Sequence, residues 1–246
     1  MKNFKLLQAN VDTRLILDEI DRAIKKKWIP SDFGVLQKVQ DIEYRVRHLK
    51  EVYTNAHINS AWQLLISQYR MINRKDQQLC NENSNFLYKT RLSEVFPETL
   101  KYLTRIATDQ DSYLQRVSLV LLPPNDEVLP HVDHGNYYKY RNRYHLVLKS
   151  EKGSEFRSGN EKQLFKEKEL WWFANKEIHS VKNLSDSDRI HLIFDLLPKK
   201  HFSILEKCRN GLFSYFFQIY YDEFGKERFH QLLVKLPPLK TILILK

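Results

Sequence analysis

The chain has 246 residues, 42% hydrophobic and 28% charged, a balance that excludes a disordered or fibrous protein and suits one large domain, or one domain with a helical annex. Its two cysteines, Cys80 and Cys208, exclude a disulfide framework. The formal charge of +10 raises nucleic acid as a partner, but the lysines are scattered, and Lys25-Lys26-Lys27 closes an apparent helix, where cations complement the dipole.

The opening stretch, MKNFKLLQANVDTRL, lacks an apolar core followed by small residues, so no leader is expected. Leu212 to Tyr221, the longest apolar stretch, is too short to span a bilayer. The expectation is a reduced, cytoplasmic protein without a membrane partner.

Leu15, Leu17, Ile20 and Ile24 recur at near-helical spacing after Asp12, a candidate cap. A second helical stretch is predicted from Ser31 to Val52 and a third from Ala61 to Met71. Lys75 to Asn85 is polar and reads as a loop, and Pro97 to Ala107 as a fourth helix. Residues 1–112 are thus expected to be a helical region packing on the core.

Near Tyr113 the pattern changes. Arg116 to Leu122, Arg143 to Ser150, Glu169 to Asn175, His179 to Asn183 and Arg189 to Leu197 are short and rich in β-branched and aliphatic residues. Pro123 to Asp126, Lys152-Gly153 and Ser158 to Asn160 read as turns between strands. Residues 113–198 are therefore expected to form a β-sandwich, barrel or jelly roll. Beyond Pro198, residues 199–246 read as a helical extension ending in TILILK, a candidate strand. Its aromatic run from Phe213 to Tyr221 suits a helix packed on the β core, or a homodimer surface.

His131 and Asp133 lie two residues apart, and on a strand such residues project to the same face. An imidazole and a carboxylate would then aim at one spot, with His179 the best third ligand. Two histidines and one carboxylate form the ligand set of non-haem Fe(II) oxygenases. With nine histidines in the chain an H-x-D triplet can arise by chance. Its neighbours add weight. Arg143 and His145 share one strand face, as do Arg189 and His191, and a buried guanidinium must find an anion.

The adjacent Trp171 and Trp172 should face opposite ways. Tyr137, Tyr138 and Tyr140 read as a lid over a site or as a loop packing on the barrel. His134 reads as structural. Asn183 to Asp186 reads as a turn aiming Arg189 into the barrel.

Arg116 to Pro198 resembles the aspartyl/asparaginyl (and proline) β-hydroxylase domain family. The matching pieces are PHVDHG (Pro130 to Gly135), RYHLVL (Arg143 to Leu148), ELWWFAN (Glu169 to Asn175), HSVKNLSDSDR (His179 to Arg189) and RIHLIFDLLP (Arg189 to Pro198). The resemblance implies a double-stranded β-helix, or jelly roll, flanked here by N-terminal and C-terminal helices. It implies Fe(II) on His131, Asp133 and His179, with 2-oxoglutarate on the metal and its distal carboxylate on Arg189. Arg143 and His145 match the strand that lines the cosubstrate pocket. The implied reaction consumes O2, releases CO2 and succinate, and hydroxylates an amino acid or an amino-acid side chain in a peptide or protein. The presence of Asp133 is nearer to the branch acting on free amino acids such as proline.

Two other readings compete. A cupin-like jelly roll of different chemistry would use more histidines in a tighter cluster, and would not require Arg189. A basic nucleic-acid-binding module would interleave cations with stacking aromatics on one face, and only Tyr137 to Arg143 (YYKYRNR) fits that.

Overall fold

The computed structural model describes residues 3–26, 61–72, 79–89, 91–133, 137–151 and 154–201. In chain order these form β1 (Phe4–Gln8), α1 (Arg14–Lys25), β2 (Ala61–Ile72), β3 (Leu79–Lys89), a 3-10 turn (Arg91–Val95) and α2 (Pro97–Asp109). Eight strands follow: β4 (Ser112–Leu122), β5 (Glu127–His131), β6 (Asn142–Lys149), β7 (Ser154–Ser158), β8 (Glu161–Phe165), β9 (Leu170–Phe173), β10 (His179–Asn183) and β11 (Arg189–Pro198). A 3-10 turn (Lys199–His201) ends the described chain.

The strands make two antiparallel sheets, one of seven in the order β1-β9-β6-β11-β4-β2-β3 and one of four in the order β5-β10-β7-β8. From β4 onward the chain passes back and forth between them. Strand parity explains the layers. On β6 and β11, Tyr144, Leu146, Leu148, Leu192, Phe194 and Leu196 pack with Ile16, Ile20 and Ala23 of α1 and Leu103, Ile106 and Ala107 of α2. The alternate residues face the small sheet. There Leu122, Val147, Trp171 and Phe173 of the large sheet meet Val128, Phe156, Phe165 and Val181 of the small one. Each such side chain removed from water contributes about 1.5–3 kcal/mol. Trp171 lies in this inter-sheet layer and Trp172 against the helix-covered face.

One buried acid joins the two helices. Glu19 is 0% exposed. Its Oε1 accepts the Glu98 amide (2.7 Å), and its Oε2 accepts the Thr99 amide (2.9 Å) and hydroxyl (2.6 Å). These amides belong to the first turn of α2, where no intrahelical acceptor exists. Phe96, at the cap position, has no side-chain oxygen to serve them.

Several expectations are corrected. Ala61 to Met71 is the strand β2, not a helix, and pairs with β4 on one side and β3 on the other. A short apolar run with Trp, Ile and Tyr fits both periods, and the two flanking strands decide it. The expected loop from Lys75 to Asn85 runs into β3, an edge strand, where polar residues are common. The front of the chain is therefore not wholly helical, since β1 and β2 belong to the large sheet. In α1 the buried apolar residues are Ile16, Ile20 and Ala23, while Leu15 is 57% exposed. Asp12 pairs with Arg14 instead of capping the helix. The expected helices at 31–52 and after 202, the TILILK strand and His134 lie outside the described residues. Among the described residues no helix is long and apolar enough to cross a membrane.

Candidate metal centre

β5 is an edge strand of the small sheet, so Pro130, which has no N–H to give the ladder, is tolerated there. The strand ends at His131, the register partner of His179 on β10. The two imidazoles face each other with ring centroids 4.2 Å apart. Asp133 lies two residues beyond His131, past the strand end. Its amide donates to the Asn175 carbonyl (3.1 Å). One ligand atom from each of His131, Asp133 and His179 lies within 4.8 Å of the others.

Each ring is oriented by the backbone. His131 Nδ1 donates to the Leu129 carbonyl (2.8 Å), and His179 Nδ1 to the Glu177 carbonyl (2.9 Å). A carbonyl only accepts, so each Nδ1 carries a proton, and in the neutral form of such a ring Nε2 is the nitrogen with a lone pair for a metal. Burial drives the His179 pKa down, against the pull of the Asp133 carboxylate, to about 4. Burial alone would raise Asp133. The Arg143 guanidinium, then His179, Asn175 and His131, outweigh it and hold the carboxyl below its usual range. A divalent cation requires its imidazole ligands neutral and its carboxylate ligand ionised, and the shifts at His179 and Asp133 run in that direction.

Arg143 sits beside this cluster and uses all three guanidinium nitrogens. Nη1 donates to Asp133 Oδ2 (2.8 Å), Nε to Asp195 Oδ1 (2.9 Å), and Nη2 to Asp195 Oδ2 (3.2 Å) and the Tyr138 hydroxyl (3.0 Å). The Tyr137 hydroxyl donates to Asp195 Oδ2 (3.1 Å). Arg141 lies over the Tyr137 ring at 4.2 Å and donates to Gln115 Oε1 (3.0 Å). In YYKYRNR, Tyr137, Arg141 and Arg143 are 6%, 3% and 6% exposed, while Tyr140 is 43% exposed, so the segment is folded inward at three of its seven residues.

Arg189, 2% exposed, opens β11 after a turn built on Asn183. The Asn183 Nδ2 donates to the carbonyls of Leu122, Pro123 and Ser187, and its Oδ1 accepts from Ser185. The Arg189 guanidinium lies 5.4 Å from the Phe156 ring centre and touches both ring nitrogens of His191, with Nε to Nε2 at 3.0 Å and Nη2 to Nδ1 at 2.7 Å. His191 Nδ1 is 3.2 Å from His145 Nδ1. Burial pushes the Arg189 pKa down to about 9. Burial, then the Arg189 charge, holds His145 and His191 well below the usual imidazole range. No described carboxylate lies within ion-pair distance of Arg189, and His145 Nε2 is buried without a hydrogen-bond partner.

The structure thus brings His131, Asp133 and His179 together, sets Arg143 against the carboxylate of that group, and gathers Arg189, His145 and His191 on the large sheet. Phe173 lies between the two groups, 5.0 Å from His179 and 5.2 Å from His145. Sequence reasoning missed Asp195 and Asn175. Parity marks the first, since Asp195 is in phase with Arg189 and His191 along β11. Nothing local marks the second.

The model of the family described as Aspartyl/Asparaginyl beta-hydroxylase matches residues 14–198. Among the curated proteins none matches the chain. Similar solved structures include a viral collagen prolyl hydroxylase from Paramecium bursaria Chlorella virus-1, in its 2OG complex. It is 10% identical over 79% of this chain and 96% of that one, with a TM-score of 0.42. A Pseudomonas putida prolyl-4-hydroxylase is 11% identical over 79% and 92%, at 0.39. A 2OG-Fe(II) oxygenase family oxidoreductase from Burkholderia pseudomallei is 14% identical over 56% and 66%, at 0.40.

Proposed function

Because the chain belongs to the aspartyl/asparaginyl beta-hydroxylase family, we propose that it is an iron(II)- and 2-oxoglutarate-dependent hydroxylase of an amino acid, or of an amino-acid side chain in a peptide or protein. The observation that carries this reading is the His131, Asp133 and His179 cluster, with its ligand atoms within 4.8 Å and both imidazole protons held on the side away from the shared centre. Eight strands divided equally between two sheets fit the jelly roll that such enzymes use.

The donor set fits iron, since two imidazoles and a carboxylate on one side leave open positions for other ligands. When bound, iron supplies the activation of O2 that inserts one oxygen into a C–H bond as 2-oxoglutarate is oxidised to succinate and CO2. The chain's own residues do the rest. His131 and His179 present Nε2, and Asp133 presents one oxygen. Arg189 suits the distal carboxylate of 2-oxoglutarate, because a guanidinium donates two parallel hydrogen bonds to a carboxylate. His145, whose Nε2 is buried and unpartnered, supplies a further polar contact to the same cosubstrate. Phe156 and Phe173 pack against Arg189, His145 and His179, and apolar neighbours strengthen the charge interactions beside them.

The test is release of succinate from 2-oxoglutarate by the purified chain with Fe(II), screened first over free amino acids and then over peptides. Metal-dependent turnover that disappears in His179→Ala is the expected result. Turnover unchanged in that variant would remove the reading.

A further inference from the structure

Asp133 stands just beyond the end of β5, so the sheet ladder does not fix its carboxylate, and the final torsion of an aspartate is broad and roughly two-fold. Orientation must come from side-chain donors. Both donors that reach it among the described residues fall on one oxygen: Arg143 Nη1 (2.8 Å) and Asn175 Nδ2 (3.0 Å) each donate to Oδ2. That leaves Oδ1 to serve a cation.

An arginine beside a lone carboxylate ordinarily takes both oxygens with its planar fork. Here the fork is engaged elsewhere. The Nε and Nη2 edge is bound side-on by Asp195 at 2.9 and 3.2 Å, and Asp195 is the direct cross-strand partner of Arg143. Asp195 is itself fixed by the Tyr137 hydroxyl (3.1 Å) and lies 3.6 Å from the Arg116 guanidinium. It is 1% exposed, so no water competes for Arg143. The other N–H of Nη2 meets the Tyr138 hydroxyl (3.0 Å), so on the remaining edge Nη1 alone is left to offer Asp133.

We propose that Asp195 is a positioning residue for the metal centre. By holding the fork of Arg143 it restricts that arginine to a single oxygen of Asp133 and keeps the other available as a ligand. The inference rests on Asp133 being a ligand. Without Asp195, Arg143 turns onto both oxygens of Asp133 and competes with the cation.

The test is a cycle of Asp133→Ala, Asp195→Asn and the double variant in the full chain, read as Mn(II) affinity by electron paramagnetic resonance and as the visible spectrum of the Co(II)-loaded protein. Loss of an outer hydrogen-bond partner typically weakens metal binding about ten- to hundred-fold. Asp195→Asn is expected to fall in that range and to shift the Co(II) bands. In the Asp133→Ala background it should have no further effect, because the residue through which it acts is gone. Asp195→Asn binding Mn(II) like wild type, or two losses that simply multiply, would overturn the proposal. If Asp133→Ala binds Mn(II) as tightly as wild type, the ligand reading itself fails, a separate outcome. Should Asp195→Asn not fold, Asp195→Glu keeps the charge, displaces the carboxylate by one methylene, and enters the same cycle.

Discussion

Arginine only donates hydrogen bonds, and a neutral imidazole has a single acceptor nitrogen. Arg189 nevertheless meets both nitrogens of His191, at 3.0 and 2.7 Å, so only one of these contacts is a full hydrogen bond. A guanidinium held so far from water and so short of acceptors is suited to an anion. Arg189→Met should therefore leave metal content intact while weakening 2-oxoglutarate. Truncating one partner of a buried charge pair costs about 2–5 kcal/mol, tens to thousands of fold in affinity at about 1.4 kcal/mol per decade. Metal content and 2-oxoglutarate affinity, measured separately, check this. Wild-type affinity would move the anchor to another residue, and a loss of metal as well would make the position structural. The i, i+2 pairs of this site are legible in the sequence, because parity alone puts His145 beside Arg143 and His191 beside Arg189. What each nitrogen touches is not. The partnership of Arg143 with Asp195 spans 52 residues of sequence.

α2 begins with two amides served by an acid from another helix. Glu19→Ala would leave both, and the Thr99 hydroxyl, without their acceptor in a buried place. Hydrogen bonds to a charged group are worth about 1.5–3 kcal/mol, and a loss of at least that size is expected, read as a lower denaturant midpoint. No effect would mean that the turn finds other acceptors. No window around Glu98 reveals Glu19, which lies 79 residues earlier. The strands from β4 onward were legible where β-branched residues cluster, as in β4, β6 and β11. β7 and β8 showed only their connecting turn, because Glu and Lys dilute them. At that turn Gly159 has φ +53°, and a Cβ there would lie 2.8 Å from the Asn3 side-chain Nδ2.

Across the whole molecule the candidate ligands come from β5, β10 and the segment after β5, while Arg143 ties Asp133 to the large sheet. A bound cation therefore bridges parts that separate on unfolding. Any ligand that binds only the folded chain stabilises it by mass action, about 2.7 kcal/mol at a hundredfold excess over Kd. Mn(II) should raise the thermal midpoint, a chelator should reverse the rise, and His179→Ala should abolish it. A midpoint indifferent to metal would mean that the three side chains do not bind it in the folded state.

β11 carries two messages in alternate letters. Residues 190, 192, 194 and 196 spell the apolar contact with the helices, and residues 189, 191 and 195 spell the buried polar chemistry. Like overlapping texts on one tape, they share a frame, so deleting a single residue early in the strand scrambles both. Guanidinium and imidazole would be pushed toward the helices, and leucine and phenylalanine toward the small sheet. Point substitutions can edit either message separately, but length changes in this strand cannot.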